Sequence, residues 1–359
     1  MSLKKGLSIF LLLSAAVSCA VLYSSVDTSS FDIFRSAVPA RLAFAASLVV
    51  AVWLLDALKL WALTRAAGEQ VSYAFALELT WINYFGAAIT PMQSGGGPFQ
   101  IYLMYRKGIS VGKSVAITLT RTILTLLILV LTIPFGFLLQ ERLPEVGAGM
   151  RWFLLYIVVF CTIAGGAIVL SVVRPRLVKR AGGTLVVLLK RVGLLKPEWV
   201  GHILRRVSRE IDSYNQNLWA LLTRGRRYFL LAALLAVLQM IALLSVMPCM
   251  ILAVGLPVNY LECILVQALF LFLLYFIPTP GGSGAAEGGA ALVFRVFVPW
   301  SAAGVLGVGW RFLTEHTGIF MGMLVVLKMI GWGAAQQILT QSGDLDGAEE
   351  AARKEDAEA

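Results

Sequence analysis

The chain has 359 residues, of which 59% are hydrophobic and 14% charged, with a formal net charge of +10 and a mean hydropathy of +0.82. Soluble domains carry roughly 25% charged residues, so a soluble enzyme or binding module is excluded and a polytopic membrane protein is implied. Cys19, Cys161, Cys249 and Cys263 are scattered in or beside apolar stretches and offer neither a disulfide framework nor the close pairing of a zinc site.

The first apolar run, Gly6 to Tyr23, follows Lys4 and Lys5 and resembles a signal peptide as much as a span; Ala16-Val17-Ser18-Cys19 also resembles a lipoprotein cleavage site. Ala stands where such sites prefer a larger aliphatic, so the reading is an uncleaved span. Lys and Arg collect on cytoplasmic loops close to the membrane. Lys4, Lys5, Arg65, Arg106, Lys107, Lys113 and the stretch from Arg174 to Arg227, with 13 basic and 3 acidic residues, mark that side. Spanning helices are then predicted near 6–23, 41–63, 114–139, 152–173, 228–253 and 302–332, in the inner (plasma) membrane with both termini cytoplasmic.

Two apolar segments are left over, and each is broken. Residues 74–105 are interrupted at Thr90-Pro91-Met92-Gln93-Ser94-Gly95-Gly96-Gly97-Pro98, and residues 261–298 at Pro278-Thr279-Pro280-Gly281-Gly282-Ser283-Gly284-Ala285-Ala286-Glu287-Gly288-Gly289. Non-helical backbone survives at membrane depth only where protein or a water-filled cavity satisfies it. The first segment must enter and return on the cytoplasmic side, the second on the outer side. The expected fold is therefore all-α and polytopic, with about six spanning helices and two opposed re-entrant hairpins in an inverted repeat. Broken helices in corresponding halves point to a transporter's substrate site near the bilayer midplane.

The predicted organisation is one membrane domain over 1–340, with a first repeat at about 74–173, a basic cytoplasmic segment at 174–227 and a second repeat at about 228–335. In the basic segment Pro197 opens a helix whose apolar positions Trp199, Ile203, Val207, Ile211, Tyr214, Leu218 and Leu222 recur every three to four residues, opposite Arg205, Arg206 and Arg209. It reads equally as an interfacial helix on an anionic leaflet and as a plain topology signal. From Asp344 onward seven acidic and two basic residues with no apolar face give an acidic, disordered tail at 341–359.

Each break is followed by an arginine deep in a span, Arg121 at 30 residues from Pro91 and Arg311 at 31 from Pro280. One arginine alone can snorkel to the interface. Two at matching depth, at roughly 3 kcal/mol or more each on insertion scales, point to a functional pair. Guanidinium presents planar paired donors to phosphate, and the glycine-rich breaks would add backbone N–H groups, although glycine also serves helix packing alone. The substrate-binding candidates are Arg121, Arg311, Asn83, Thr90, Pro91, Gln93, Ser94, Gly95, Gly96, Gly97, Pro280, Gly281, Gly282, Ser283 and Gly284, with Glu287, Glu315 and His316 as the other ionisable groups at depth. Glu315, four residues after Arg311, reads first as an internal ion pair; the alternatives are a carboxylate that exchanges partners with substrate, or a coupling proton on Glu287 or His316. Asp56 and Lys59 read as a local pair near the cytoplasmic end of their span. No catalytic residue, metal site, cofactor or nucleic-acid partner is expected, and no Walker sequence occurs that would make ATP the direct energy source.

Asn83-Tyr84-Phe85, Thr90-Pro91, Gly95-Gly96-Gly97-Pro98, Arg106 and Arg121, followed by Pro278-Thr279-Pro280-Gly281-Gly282-Ser283-Gly284 and Glu287, resemble the membrane region of lysyl-phosphatidylglycerol synthetases and the free-standing flippase-like proteins related to them. The resemblance covers most of residues 1–340. It implies a domain that moves lipids between leaflets, aminoacylated phosphatidylglycerol in the best-studied members. The full-length synthetases carry a soluble acyltransferase domain, and the short acidic tail here makes a non-enzymatic role the expectation. An anionic or aminoacylated phospholipid or a polyprenyl-phosphate lipid is the implied substrate, and a lipid-synthesising enzyme the implied partner. A membrane-embedded lipid-modifying transferase and a non-catalytic subunit of an envelope-lipid pathway are the other readings.

Overall fold

The computed structural model describes residues 3–137, 184, 216, 218–329 and 331. The predicted span at 152–173, most of the basic segment at 174–227, Cys161 and the acidic tail lie outside the described residues. In chain order the helices are α1 (Leu3–Ser25), α2 (Thr28–Arg35), α3 (Pro39–Ala66), α4 (Tyr73–Ala88), α5 (Gly96–Arg106), α6 (Val111–Phe137), α7 (Arg226–Ala253), α8 (Tyr260–Leu274), α9 (Ala285–Arg295), α10 (Trp300–Arg311) and α11 (Thr317–Met329), with a π-helical turn over Phe312–His316 joining the last two. Among the described residues, five stretches are long and apolar enough to cross a membrane: Lys4–Ser25, Pro39–Ala66, Val111–Thr132, Arg226–Ala253 and Trp300–Met329. The protein is an all-α polytopic membrane protein, and these five coincide with five of the six predicted spans.

The sequence pattern predicts only loop where α2 forms. Asp27 caps this helix, accepting from the Ser30 N–H at 2.9 Å, and the Ser30 hydroxyl ties it to the Ser301 carbonyl at 2.8 Å. That anchors the α1–α3 connection against the start of α10.

The central pair is α3 and α7, packed antiparallel along their length: the Val38 N–H reaches the Ala253 carbonyl at one end, and Gly225 presses on the Ala66 backbone at the other. A hairpin of short helices enters from each end of this pair. The first, α4–α5, starts beside the end of α3; α6 then leaves from that same end, where Lys113 pairs with Glu69. The second, α8–α9, starts beyond Ala253, and α10 leaves from that end, where the Trp300 indole donates to the Ser24 carbonyl at 2.9 Å. Each hairpin has its own apolar core, Leu60, Leu79, Ile82, Phe85 and Phe99 around the first and Val246, Phe270, Phe294, Leu306 and Trp310 around the second.

The halves correspond residue for residue over much of their length. A shift of 189 residues carries Gly96–Arg106 onto Ala285–Arg295 at both ends, and the start of α6 at Val111 onto that of α10 at Trp300. It also carries Pro91 onto Pro280 and brings α3 to within two residues of α7, so the correspondence begins at the helix preceding each hairpin, while Arg121 falls one residue short of Arg311. Outside both halves, α1 lies against the second hairpin, with Phe10 buried beside Gly281 and Val17 beside Gly284 and Gly288. Outward-facing Leu12, Leu131, Leu234 and Ile241 leave the apolar perimeter that a lipid solvent requires.

Candidate functional site

The two broken segments meet. Pro91 and Pro280 form an isolated antiparallel bridge, and the Gly281 N–H donates to the Thr90 carbonyl at 3.3 Å. Both tips make the same turn: Ser94 N–H to Pro91 carbonyl at 3.2 Å in one, Ser283 N–H to Pro280 carbonyl at 3.0 Å in the other. The turn needs two consecutive residues in the left-handed region. Gly281 and Gly282 take it at φ 60° and 68°, whereas Met92 and Gln93 take it at 53° and 55° with side chains attached. A left-handed residue other than glycine costs about 1–2 kcal/mol, so the first tip carries backbone strain that the second avoids. The first tip is also the open one, with Pro91, Met92 and Ser94 exposed, while Pro280 through Ser283 are buried.

Within the first hairpin, Gly96 lies against the Asn83 side chain and carbonyl, where any Cβ would collide. The Gln100 amide closes the hairpin by donating to the Leu79 carbonyl at 2.9 Å. Gly97 has open space around it. Several tip N–H groups that the sequence offered to an anion are already engaged. Gly95 donates to Thr90 Oγ1 at 2.7 Å, Gly282 to the Thr279 carbonyl at 3.1 Å, and Gly284 to Glu287 Oε2 at 2.7 Å. The Ser283 hydroxyl, 1% exposed, finds no partner among the described residues, nor do the indole N–H groups of Trp53, Trp81 and Trp310.

Arg121 and Arg311 both lie at mid-span. Arg121 is ten residues into α6, about 15 Å along it, and Arg311 eleven into α10, about 16 Å, from opposite ends of a core about 30 Å thick. Neither snorkels: they are 8% and 2% exposed. Arg121 grips Asp56 with two donors, Nε to Oδ1 at 3.1 Å and Nη2 to Oδ2. Lys59 Nζ reaches the same Asp56 carboxylate at 2.8 Å, Gln239 Oε1 at 2.5 Å and Thr125 Oγ1 at 3.3 Å. Asp56 and Lys59 do form the expected local pair, ten and seven residues before the end of α3, but it is buried and shared with Arg121. Two cations against one carboxylate leave this cluster with a formal excess of +1.

Arg311 sits in the opposite balance. Its Nη2 donates to the Gly281 carbonyl at 2.7 Å, its Nε to Glu287 Oε1 at 3.4 Å, and Nη1 lies 3.5 Å from Glu315. The expected Arg311–Glu315 pair is present, yet the tip carbonyl and Glu287 hold the guanidinium more closely. Glu287 is fully buried and also accepts from the Ser14 hydroxyl at 2.7 Å; Ser14 in turn lies 2.9 Å from His316 Nε2. The π-turn inserts a residue after Arg311, and π-turns inside helices cluster at functional sites; α6 makes no such turn in the corresponding place. Tyr84 and Tyr275 stand between the two clusters, each within electrostatic reach of Arg121, Asp56 and Glu315.

A profile of the family described as "Lysylphosphatidylglycerol synthase TM region" matches residues 8–322. The chain belongs to that family. A relative in Archaeoglobus fulgidus described as a "UPF0104 membrane protein" is 25% identical over 319 residues, covering 88% of this chain and 94% of the relative. The family match spans both hairpins and both arginines.

Sequence reasoning missed Ser14, Thr125, Gln239 and Tyr275, and missed that Arg121 joins the pair of Asp56 and Lys59. Two charges in the middle of a 28-residue apolar helix were the available signal for the latter pair. A Gly-x-x-Glu step before an apolar helix could have revealed that Glu287 caps α9.

Proposed function

We propose that this protein is a lipid translocase that moves a lipid with a phosphate headgroup, an anionic or aminoacylated phospholipid or a polyprenyl phosphate, between leaflets. The observation that carries this reading is a buried mid-span cluster with an uncompensated cation, in a fold whose two proline-glycine tips meet. A charge at that depth is costly, and a phosphodiester would neutralise it. Arg121 supplies a planar fork and Lys59 a point charge. The Ser283 hydroxyl, without a partner among the described residues, adds a donor at the second tip. The membership in a family named for lipid synthesis supports a lipid as substrate. The hairpins, in this reading, are re-entrant from opposite faces, the basic loops face the cytoplasm, and access alternates as one half rocks against the other. The protein would act on lipid made by a separate enzyme and leave it chemically unchanged.

The test is leaflet exchange in vesicles containing a fluorescent phosphatidylglycerol. The protein is expected to accelerate exchange, and Arg121→Gln to slow it by an order of magnitude or more, about 1.4 kcal/mol per tenfold, with lipid mass unchanged. No acceleration by the wild-type protein sinks the translocase, and a changed lipid mass replaces it with a transferase.

A further inference from the structure

The hydrogen-bonded chain from His316 through Ser14 to Glu287 restricts where its protons can sit. His316 Nδ1 lies 3.2 Å from the Arg311 carbonyl, which only accepts, so Nδ1 carries a hydrogen. Ser14 Oγ lies between His316 Nε2 at 2.9 Å and Glu287 Oε1 at 2.7 Å, and a hydroxyl has one proton to give. Two arrangements satisfy both bonds. In one, imidazolium donates to Ser14 and Ser14 to a Glu287 carboxylate; in the other, neutral Glu287 donates to Ser14 and Ser14 to the bare Nε2. They hold the same number of protons. Passing between them breaks the His316 N–H and Ser14 O–H bonds and forms a new Ser14 O–H and a Glu287 O–H, with the serine restored and the positive charge moved from the ring. Removing that proton leaves two acceptors facing a single hydroxyl hydrogen, so that only one of the two hydrogen bonds can form.

We propose that the protein binds one exchangeable proton on this chain and that its lipid and this proton bind together. The inference rests on the translocase reading and adds its coupling ion. Arg311, Glu315, and the chain with its proton sum to zero formal charge; without the proton they sum to −1 and repel an anion. With the proton on Glu287, the carboxylate that faces Arg311 Nε at 3.4 Å is neutral, and the guanidinium is free to turn a donor toward phosphate. The charged groups facing the chain are Arg311 and Glu315 from the same spanning stretch as His316, and Tyr84 and Tyr275 from the two hairpins lie within electrostatic reach of Glu315, Asp56 and Arg121. Phe10 and Phe312 flank the half-buried imidazole at 5.6 and 6.1 Å.

The experiment measures binding of a short-chain phosphatidylglycerol to the detergent-solubilised protein as a function of pH between about 5 and 9, where a phosphodiester keeps its single charge and an imidazole titrates. Affinity is expected to rise as pH falls, with up to about one proton taken up per lipid by linkage. Glu287→Gln, which keeps the shape and the bond from Gly284, is expected to abolish the uptake while lipid still binds. Ser14→Ala, which changes no charge, is expected to flatten the pH profile, an effect that a purely structural serine would not have. A pH-independent wild-type affinity, or undiminished proton uptake by Glu287→Gln, overturns the proton site and leaves the translocase standing. Absence of phosphatidylglycerol binding at every pH removes both.

Discussion

The two tips share a turn and differ in nearly everything attached to it. The first exposes Pro91, Met92 and Ser94 and holds Met92 and Gln93 in left-handed backbone; the second buries Pro280 through Ser283 and uses Gly281 and Gly282 there. In the first half Arg121 and Lys59 share a single carboxylate, and in the second Arg311 faces two carboxylates and lies beside a histidine. One backbone plan, repeated, has been given opposite charge balances. The comparison assigns an excess of cation to the first half and proton handling to the second, a division that pure symmetry would not provide.

The largest expected effect comes from unbalancing the cationic half. Asp56→Ala leaves Arg121 and Lys59 buried together without their anion, and removing one partner of a buried pair costs about 3–5 kcal/mol. Thermal unfolding in detergent should show a large drop, whereas Glu315→Gln, at a carboxylate 30% exposed, should lower the midpoint far less. Equal losses in the two variants would erase the distinction between the halves.

The tips should respond with opposite signs. Gly281→Ala places a Cβ at positive φ, 2.9 Å from the Ala88 Cα and 3.0 Å from the Phe10 ring, and should destabilise by about 1–3 kcal/mol. Gln93→Gly relieves a strained residue at the matching turn and should be neutral or stabilising by up to about 1 kcal/mol. Melting curves of the two variants decide it; a loss in Gln93→Gly as great as in Gly281→Ala would mean that the first tip is not strained.

Lys59→Met removes the excess cation while keeping the Arg121–Asp56 pair. Leaflet exchange of fluorescent phosphatidylglycerol should slow by roughly tenfold, about 1.4 kcal/mol, and an unchanged rate would deny Lys59 a part in binding. The smallest effect is expected at Lys113, whose pair with Glu69 is 36% and 26% exposed: Lys113→Ala should shift stability by no more than about 1 kcal/mol.

The helices and the breaks were legible because each depends on local chemistry. Apolar runs of spanning length, basic loops and proline-glycine clusters locate α3, α6, α7 and both tips without reference to anything distant. The charged clusters were half legible. Arg121 and Arg311 stand out as charges in apolar helix, but their partners are set by the packing of helices far apart in sequence. Asp56 meets Arg121 across 65 residues, and Ser14 meets Glu287 across 273. Ser14 gave no signal at all, since a serine in an apolar helix is ordinary until its neighbour is a buried carboxylate. The π-turn at Phe312–His316 was equally hidden, because the sequence there continues a helix pattern without interruption.

The most direct test of a lipid phosphate site at the mid-span cations is native mass spectrometry of the protein as purified. The wild-type protein should carry a phospholipid that is lost from both Arg121→Gln and Arg311→Gln in preparations that remain folded. Retention of the same lipid by both variants would contradict the account.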